Sequence, residues 1–275
     1  MTTNTPVLSL KGLTKQFNKG TPNQNTVLND LNLEVKKGDF ITIIGGNGAG
    51  KSTLLNSIAG NFMIDKGSIL LGEKDLTPLK EEKRAGSIGR VFQDPVMGTA
   101  PRMTVGENLA IAYRRGKKRS LRKGTSDKER EYFKQVLAEL GLGLENRLDS
   151  EMGLLSGGQR QAIALLMATM NKPDLLLLDE HTAALDPKTA KVVLELTKRR
   201  IEQEELTALM ITHNMNDALK YGNRLIMLDG GKVIVDLSGE EKENLTVPDV
   251  LVLFQTATDK TDSNSQLSDE LLLSR

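Results

Sequence analysis

The fold of this chain is decided by the stretch Gly45-Gly46-Asn47-Gly48-Ala49-Gly50-Lys51-Ser52-Thr53. It fits the pattern G-x-x-x-x-G-K-[S/T] and lies between Phe40–Ile44, a predicted strand, and Ser52–Ala59, a predicted helix. Its four glycines let backbone N–H groups approach phosphate oxygens without interference from Cβ atoms. The positive end of the helix faces the same anion. The stretch therefore predicts a phosphate-binding loop rather than a glycine-rich turn that binds nothing.

Two side chains of this loop carry the predicted chemistry. Lys51 is expected to reach the β- and γ-phosphates of a nucleotide, and the Ser52 hydroxyl is expected to bind Mg²⁺. The other loop residues that we expect to contact the nucleotide are Gly45, Asn47, Gly48, Ala49, Gly50 and Thr53.

A pair of acidic residues follows a second buried strand. Leu175–Leu178 is an uninterrupted apolar run, and Asp179 and Glu180 come directly after it. A buried parallel strand delivers its C-terminal residues to the edge of the sheet where ligands bind. Asp179 is therefore placed to bind Mg²⁺, directly or through water, and Glu180 to polarise an attacking water. The alternative is that the two acids simply lie on the surface at the end of a strand. The phosphate-binding motif in the same chain makes this alternative weaker.

A third stretch, Leu155-Ser156-Gly157-Gly158-Gln159-Arg160-Gln161, predicts another helix start that favours an anion. Ser156 and Gln159 form an S-x-x-Q capping box that opens the predicted helix Gly157–Met170. The two glycines leave the N–H groups of the first turn uncovered. An ordinary capped helix is the alternative, although glycines suit its first turn poorly.

These motifs together resemble the ATP-binding subunits of ATP-binding-cassette (ABC) transporters. Leu155–Gln159 matches the LSGGQ signature of that family in full, and the resemblance covers roughly Val7 to Leu237. It implies ATP and Mg²⁺ as cofactors and a head-to-tail homodimer, with ATP between the phosphate-binding loop of one subunit and the signature of the other. The signature residues that would then contact ATP are Ser156, Gly157, Gly158 and Gln159.

The resemblance assigns roles to four further residues. Gln93 matches the Q-loop, which contacts Mg²⁺ or water and faces the permease. Asp186 lies in the D-loop, His213 matches the switch histidine that contacts the γ-phosphate, and Phe17 takes the place of an aromatic ring that stacks on adenine. The implied catalytic residues are Lys51, Gln93, Glu180 and His213, and the implied metal ligands are Ser52, Gln93 and Asp179.

Structural interpretations of these residues remain open. Asp186 and the following proline suit a helix N-cap with proline at the first helical position. His213 ends an apolar strand, and Phe17 could belong to the core. Two residues depart from the commoner family pattern, because position 17 is often Tyr and His181 replaces a proline after Glu180.

Composition limits the class of protein. With 275 residues and 38% hydrophobic content, the chain is long enough for about two domains and a sizeable core. The lack of cysteine excludes disulfide scaffolds, thiolate metal sites and cysteine catalysis. A net charge of +1 excludes a globally basic nucleic-acid binder, although not a local basic patch. We expect no nucleic-acid partner. Uncharged stretches such as Gln161–Asn171 are too short for a membrane span, and Met1–Leu10 does not resemble a signal peptide.

The hydrophobic pattern predicts an α/β fold. The predicted strands are Val7–Phe17, Leu28–Val35, Phe40–Ile44, Ser68–Leu71, Ile88–Phe92, Leu175–Leu178, Thr207–Ile211, Arg224–Leu228 and Lys232–Asp236. The predicted helices are Ser52–Ala59, Thr104–Arg114, Asp127–Leu140, Gly157–Met170, Pro187–Glu204 and Asn214–Tyr221. Hairpin-like connections between early strands, and strands followed by helices later, indicate a parallel core with an antiparallel β part attached.

The resemblance also implies how the chain is divided into domains. It implies a P-loop NTPase core of RecA-like α/β type with an antiparallel β subdomain (1–98 and 171–240) and an inserted α-helical subdomain with the signature (99–170). Thr99–Ser150 is predicted to be almost wholly helical. A C-terminal extension (241–275) completes the prediction, with Ala257–Gln266 flexible and Leu267–Leu273 a possible docking helix.

The resemblance also implies partners. We expect a peripheral protein on the cytoplasmic face of the membrane, bound to a separate permease and served by an extracytoplasmic solute-binding protein. The stretch Asp179–Pro187 resembles one importer group, some members of which accompany amino-acid-binding proteins, including ones for aromatic amino acids. A soluble ABC ATPase uncoupled from transport, such as one serving iron–sulfur assembly, is the alternative. The basic stretch Arg114–Lys123 could contact anionic lipid or acidic permease loops, or be a solvated loop. Nucleic-acid binding is a third alternative, which the lack of interleaved aromatic residues for base stacking makes weaker.

Overall fold

The computed structural model describes residues 6–117 and 125–260, which form two compact units. The described part of the first unit is 6–84 and 206–260, and that of the second is 85–117 and 125–205. In chain order the strands are β1 Leu8–Phe17, β2 Asn25–Val35, β3 Phe40–Gly45, β4 Lys66–Leu71, β5 Lys74–Asp75, β6 Ile88–Val91, β7 Leu175–Asp179, β8 Ala208–Ile211, β9 Arg224–Asp229 and β10 Lys232–Ser238. The α-helices are α1 Lys51–Ala59, α2 Glu81–Arg84, α3 Val105–Tyr113, α4 Asp127–Ala138, α5 Gly157–Thr169, α6 Pro187–Gln203, α7 Met215–Lys220, α8 Glu240–Glu243 and α9 Val247–Lys260.

Each of the nine strands and six helices predicted from the hydrophobic pattern is confirmed, with ends that shift by at most three residues. The prediction that Thr99–Ser150 is almost wholly helical is wrong in part, because turns precede α3 and follow α4. In the described part of that stretch, the only other helical segment is a 3-10 turn at Leu144–Arg147. Most of the basic stretch lies at 118–123, outside the described residues. The predicted subdomain limits remain predictions.

The first unit contains an antiparallel sheet and a largely parallel one. β1 pairs antiparallel with both β2 and β4, and β4 pairs with β5. β3 lies between β8 and β9 and is parallel to both, while β10 returns antiparallel along β9. This is the predicted combination of a parallel core and antiparallel strands. All six residues of β3 are buried, as expected for a parallel strand covered on both faces.

A two-residue turn joins β9 to β10. Gly230 and Gly231 have φ values of 52° and 75°, the left-handed conformation that a tight hairpin requires. A Cβ atom on Gly231 would lie 2.4 Å from the carbonyl oxygen of Val27 in β2. The Gly231 backbone also accepts a hydrogen bond from Asn29 N and donates one to Ala49 O. The turn therefore fixes β2 against the loop that precedes α1.

Helix α9 corrects the prediction of flexibility at Ala257–Gln266. Residues 257–260 continue a helix that begins at Val247, whereas 261–273, including the predicted docking helix, lie outside the described residues. Val250 and Phe254 lie one turn apart and are buried in an apolar cluster with Ile44, Met215 and Met227. These contacts join residues that are far apart in sequence, so local patterns do not reveal them. The polar composition of 257–266 indicated a flexible segment instead.

The second unit holds β6 and β7, which pair in parallel, and the helices α3 to α6. Three of these helices open with a complete capping box: Thr104 with Glu107 on α3, Ser126 with Glu129 on α4, and Ser156 with Gln159 on α5. Each box satisfies backbone N–H groups that a helix start otherwise leaves unbonded. Within 6–117 and 125–260, no helix is long and apolar enough to cross a membrane.

Lys242 of α8 is predicted to make stability depend on pH. Its side chain is 3% exposed, and its Nζ donates hydrogen bonds to the carbonyl oxygens of Tyr221 and Gly222 after α7. Burial lowers the pKa of Lys242 to about 8. Because the unfolded chain still binds the proton above that pH, the free energy of unfolding should rise from about pH 8 to ~10.

Chemical denaturation across that pH range tests this prediction. Relative to wild type, Lys242→Met should lack the rise, whereas the exposed control Lys232→Met should keep it. A rise of equal size in Lys242→Met would show that other groups cause it.

Candidate nucleotide-binding site

The glycine-rich loop connects β3 to α1 in the first unit. At Gly45, a Cβ atom would lie only 2.2 Å from the carbonyl oxygen of Leu228, so no larger residue fits there without a backbone shift. Ala49 N donates to Gly46 O and closes a turn inside the loop. Gly50 caps α1 with a φ of 99°. The loop thus brings its backbone to the N-terminus of a nine-residue helix, which favours an anion.

Lys51 is folded over this loop. Its Nζ donates to Gly45 O at 2.8 Å and to Gly46 O at 3.0 Å, and the residue is 6% exposed. The ammonium group therefore adds a positive charge to the loop at the end where α1 begins. Ser52 is exposed and Thr53 half-buried, so both remain accessible to a ligand.

His213 lies in the same unit and near the same edge. β8 runs parallel to β3, with Ile211 opposite Ile43, and Thr212 N donates to Ile43 O. His213 and the glycine-rich loop therefore both follow the C-terminal ends of adjacent parallel strands. His213 is half-buried, as suits a side chain that has structural contacts and can still meet a ligand.

Phe17 ends β1 and is not part of the buried core. Its ring is half-buried, contacts Phe62 edge to face at 5.3 Å, and has the ammonium group of Lys15 at 5.3 Å. Phe17 pairs with Asn25 at the start of β2, two residues before Val27. The Val27 carbonyl oxygen would be 2.7 Å from a Cβ on Gly50. The aromatic ring is therefore on a strand end that adjoins the loop.

The acidic pair and Gln93 lie together in the second unit. β6 and β7 are parallel, with Val91 opposite Leu178, so Gln93 and Glu180 both come two residues after a matched pair. Gln93 is exposed, and Asp179 and Glu180 are half-buried. Sequence alone had predicted that Asp179 and Glu180 follow a buried strand, and the pairing with β6 adds Gln93 to the same edge.

Glu180 has a backbone conformation that is unusual for its residue type. Its φ is 47°, in the left-handed region, and its carbonyl oxygen accepts a hydrogen bond from Ala183 N. Such a conformation persists only where the surroundings hold it, and it is common at functional sites. The backbone thus turns sharply directly after Asp179.

The buried side chain of His181 anchors this turn. It is 1% exposed, its Nε2 lies 3.0 Å from Thr197 Oγ1, and Thr197 Oγ1 itself donates to Val193 O. Since the hydroxyl proton is used, the His181 ring donates through Nε2–H. Burial lowers the pKa of His181 to about 4. The residue that departs from the family pattern therefore ties the turn to α6.

The signature segment starts α5 in the same unit. Ser156 Oγ accepts from Gln159 N at 3.3 Å, which confirms the predicted cap. Gly157 is exposed, but Gly158 is buried, and a Cβ there would lie 2.0 Å from Thr189 Cγ2 on α6. The second glycine thus lets α5 and α6 pack closely without displacing the Thr189 side chain, in addition to any contact with an anion.

Asp186 caps the neighbouring helix α6. Its carboxylate accepts a hydrogen bond from Thr189 N at 3.1 Å, and Pro187 occupies the first turn, so the structural interpretation is confirmed. Hydrogen bonds from the Thr189 side chain and backbone hold the pKa of Asp186 below its usual value. The residue remains exposed, so a role in the D-loop is compatible with the cap.

The predicted metal ligands suit Mg²⁺ in their chemistry. Ser52, Gln93 and Asp179 offer only oxygen donors, and Mg²⁺ prefers one or two carboxylates together with substrate phosphates. This donor set fits Mg²⁺ bound together with a nucleotide. Among the described residues, there is no group of three or more His, Cys, Asp or Glu side chains that could hold a metal ion.

Two residues beside this site were not predicted. Arg90 pairs with Asp179, and Gln161 donates from Nε2 to the carbonyl oxygen of Phe92 at 2.9 Å. Gln161 belongs to the quoted signature stretch, so its position was a usable signal. Nothing in the sequence marks Arg90 except its place three residues before Gln93.

A family model described as "ABC transporter" matches residues 28–183. The chain is 45% identical over 251 residues to a tyrosine transport ATP-binding protein of Clostridioides difficile, covering 91% of this chain and 100% of that protein. It is 36% identical over 239 residues to a spermidine/putrescine import ATP-binding protein of Haemophilus influenzae, covering 86% of this chain and 59% of that longer protein.

A solved structure shows the same fold. It is an ATP-binding cassette in a dimeric post-hydrolysis state bound to ADP and phosphate. The TM-score is 0.72 at 30% sequence identity, with 84% of this chain and 98% of that chain covered.

Proposed function

We propose that this chain, which belongs to the ABC transporter family of ATP-binding ATPases, powers the import of a small solute. In this proposal a separate membrane permease carries the solute and two copies of the chain supply the energy. ATP binding closes the two copies, hydrolysis releases them, and the permease follows that cycle.

One observation carries the proposal. A single chain has two helix N-termini that favour phosphate. One is that of α1, which begins at Lys51, and the other is that of α5, which is capped by Ser156. In a head-to-tail dimer, α1 of one copy and α5 of the other would enclose the same ATP. The solved neighbour that is dimeric with ADP and phosphate supports this arrangement.

The roles in hydrolysis follow from the groups at each position. Glu180 orients and polarises the attacking water, and Lys51 and His213 stabilise the charge on the γ-phosphate. Gln93 contacts Mg²⁺ or water beside the γ-phosphate and faces the permease, so it links the nucleotide to the permease. Phe17 stacks on adenine. Mg²⁺, held by Ser52, Asp179 and Gln93, would neutralise charge on the phosphates.

We assign this chain to the cytoplasmic face of a membrane, with an extracytoplasmic solute-binding protein in the same system. The relatives reported above are named for transport and import, which supports this role over a soluble ATPase that serves iron–sulfur assembly. Since the match at 45% identity covers the full length of a protein named for tyrosine transport, an aromatic amino acid is the proposed solute.

Uptake in cells tests the proposed function. Deleting the gene should abolish accumulation of labelled tyrosine, and the wild-type chain should restore it while Glu180→Gln does not. Unchanged tyrosine uptake after deletion would reject the solute. Recovery of the chain only in the soluble fraction, even with the permease co-expressed, would reject the membrane role.

A further inference from the structure

Arg90 of β6 forms an ion pair with the carboxylate that is assigned to Mg²⁺. Its Nη2 lies 3.2 Å from Asp179 Oδ2, and the two side chains are 11% and 15% exposed. A pair that is largely withdrawn from solvent is screened less than a surface pair and is geometrically more restrictive. Arg90 therefore constrains the orientation of the Asp179 carboxylate.

The same guanidinium group contacts the segment that contains Gln93. Arg90 Cζ lies 4.4 Å from the centre of the Phe92 ring, a distance typical of a cation–π contact. A planar guanidinium can stack on an aromatic ring and pair with a carboxylate at the same time, which an ammonium group does less well. One side chain thus connects the ends of β6 and β7.

Phe92 is held on its backbone as well. Gln161 of α5 is fully buried, and its Nε2 donates to the Phe92 carbonyl oxygen at 2.9 Å. The residue before Gln93 is therefore fixed through its ring by Arg90 and through its carbonyl by α5. These contacts form a continuous series from Asp179 through Arg90 and Phe92 to the helix that starts at the signature.

We propose that Arg90 is a positioning residue, which holds the Asp179 carboxylate in the orientation that turnover requires and fixes the start of the Gln93 segment relative to it. This inference rests on the proposed roles of Asp179 and Gln93. The positive charge of Arg90 also weakens the attraction of the carboxylate for a metal ion. Removing it should strengthen Mg²⁺-dependent nucleotide binding and, because both groups lose their orientation, slow turnover.

Three variants separate charge from shape. Arg90→Met removes the charge but keeps an apolar stem, Arg90→Lys keeps the charge but lacks the planar group, and Arg102→Met is a control on an exposed arginine. ADP binding is measured by calorimetry as a function of Mg²⁺ concentration and also without Mg²⁺. Turnover of ATP is measured separately.

For Arg90→Met we expect the Mg²⁺ concentration for half-maximal ADP binding to fall about threefold or more, and kcat to fall about tenfold. Arg90→Lys should keep the wild-type Mg²⁺ dependence with a reduced kcat. ADP affinity without Mg²⁺ should stay unchanged in both variants, which shows that the nucleotide site is still folded.

The inference is rejected by any of three results. These are wild-type Mg²⁺ dependence in Arg90→Met, equal shifts in Arg90→Met and Arg90→Lys, or loss of Mg²⁺-free ADP binding, which would indicate a purely structural role. Asp179→Asn separates this failure from failure of the proposed function. If Asp179→Asn leaves Mg²⁺-dependent binding intact, the assignment of Asp179 itself is wrong.

Discussion

Glu180→Gln is expected to lower the ATP turnover number at least ~100-fold, the usual contribution of a positioned general base. Glutamine keeps the size and hydrogen-bonding capacity of the side chain but cannot accept a proton from water. The turn hydrogen bond at Glu180 is accepted by its backbone carbonyl oxygen, and the buried anchor is the ring of His181. The variant should therefore fold and bind ATP normally.

A matched control exists in the same unit. Glu205 also has a left-handed backbone, with a φ of 50°, and is exposed. Glu205→Gln applies the same chemical change in the same conformation away from the site, and it should keep wild-type turnover. Phosphate release under saturating ATP compares the three proteins. Turnover by Glu180→Gln at the wild-type rate would exclude Glu180 as the base.

Ser156→Arg is expected to abolish ATP-driven association of two chains while sparing the first binding of ATP to the glycine-rich loop. The large cation would project from the start of α5, where the partner's ATP is proposed to lie. Because Lys51 and the loop belong to the other unit and keep their own contacts, nucleotide affinity of the single chain should change little.

The loss of a helix cap must be separated from the loss of the interface. Ser126 caps α4 as Ser156 caps α5, each with a hydrogen bond of 3.3 Å from the backbone of the third helical residue. Ser126→Arg therefore loses a comparable cap, worth ~1 kcal/mol, without altering the signature. We expect it to associate normally in cross-linking with ATP. If both variants associate equally well, the shared-site arrangement is wrong.

Sequence predicted the parts of the site that local patterns encode. The glycine-rich loop, the acidic pair after a buried strand and the S-x-x-Q cap each depend on residues within a few positions of one another. All three occur on the predicted elements. The sequence did not predict the order of the strands. Apolar runs followed by helices did correctly indicate parallel pairing around β3.

The features that sequence did not predict depend on contacts between distant segments. α9 forms because Val250 and Phe254 find an apolar cluster built around Ile44. Arg90 lies 89 positions before its partner Asp179, so no local spacing reveals the pair. Gly158 was interpreted through its backbone, whereas its close approach to Thr189 is visible only when α5 and α6 are packed.

Light scattering on Glu180→Gln measures whether two copies of this chain share each ATP, as we propose. With ATP and Mg²⁺ the variant should have twice the mass of a single chain, and with ADP it should have the mass of one. Adding Ser156→Arg to the same chain should abolish the doubling. A single-chain mass with ATP, under conditions where ATP binding is saturated, would show that two copies do not share the nucleotide.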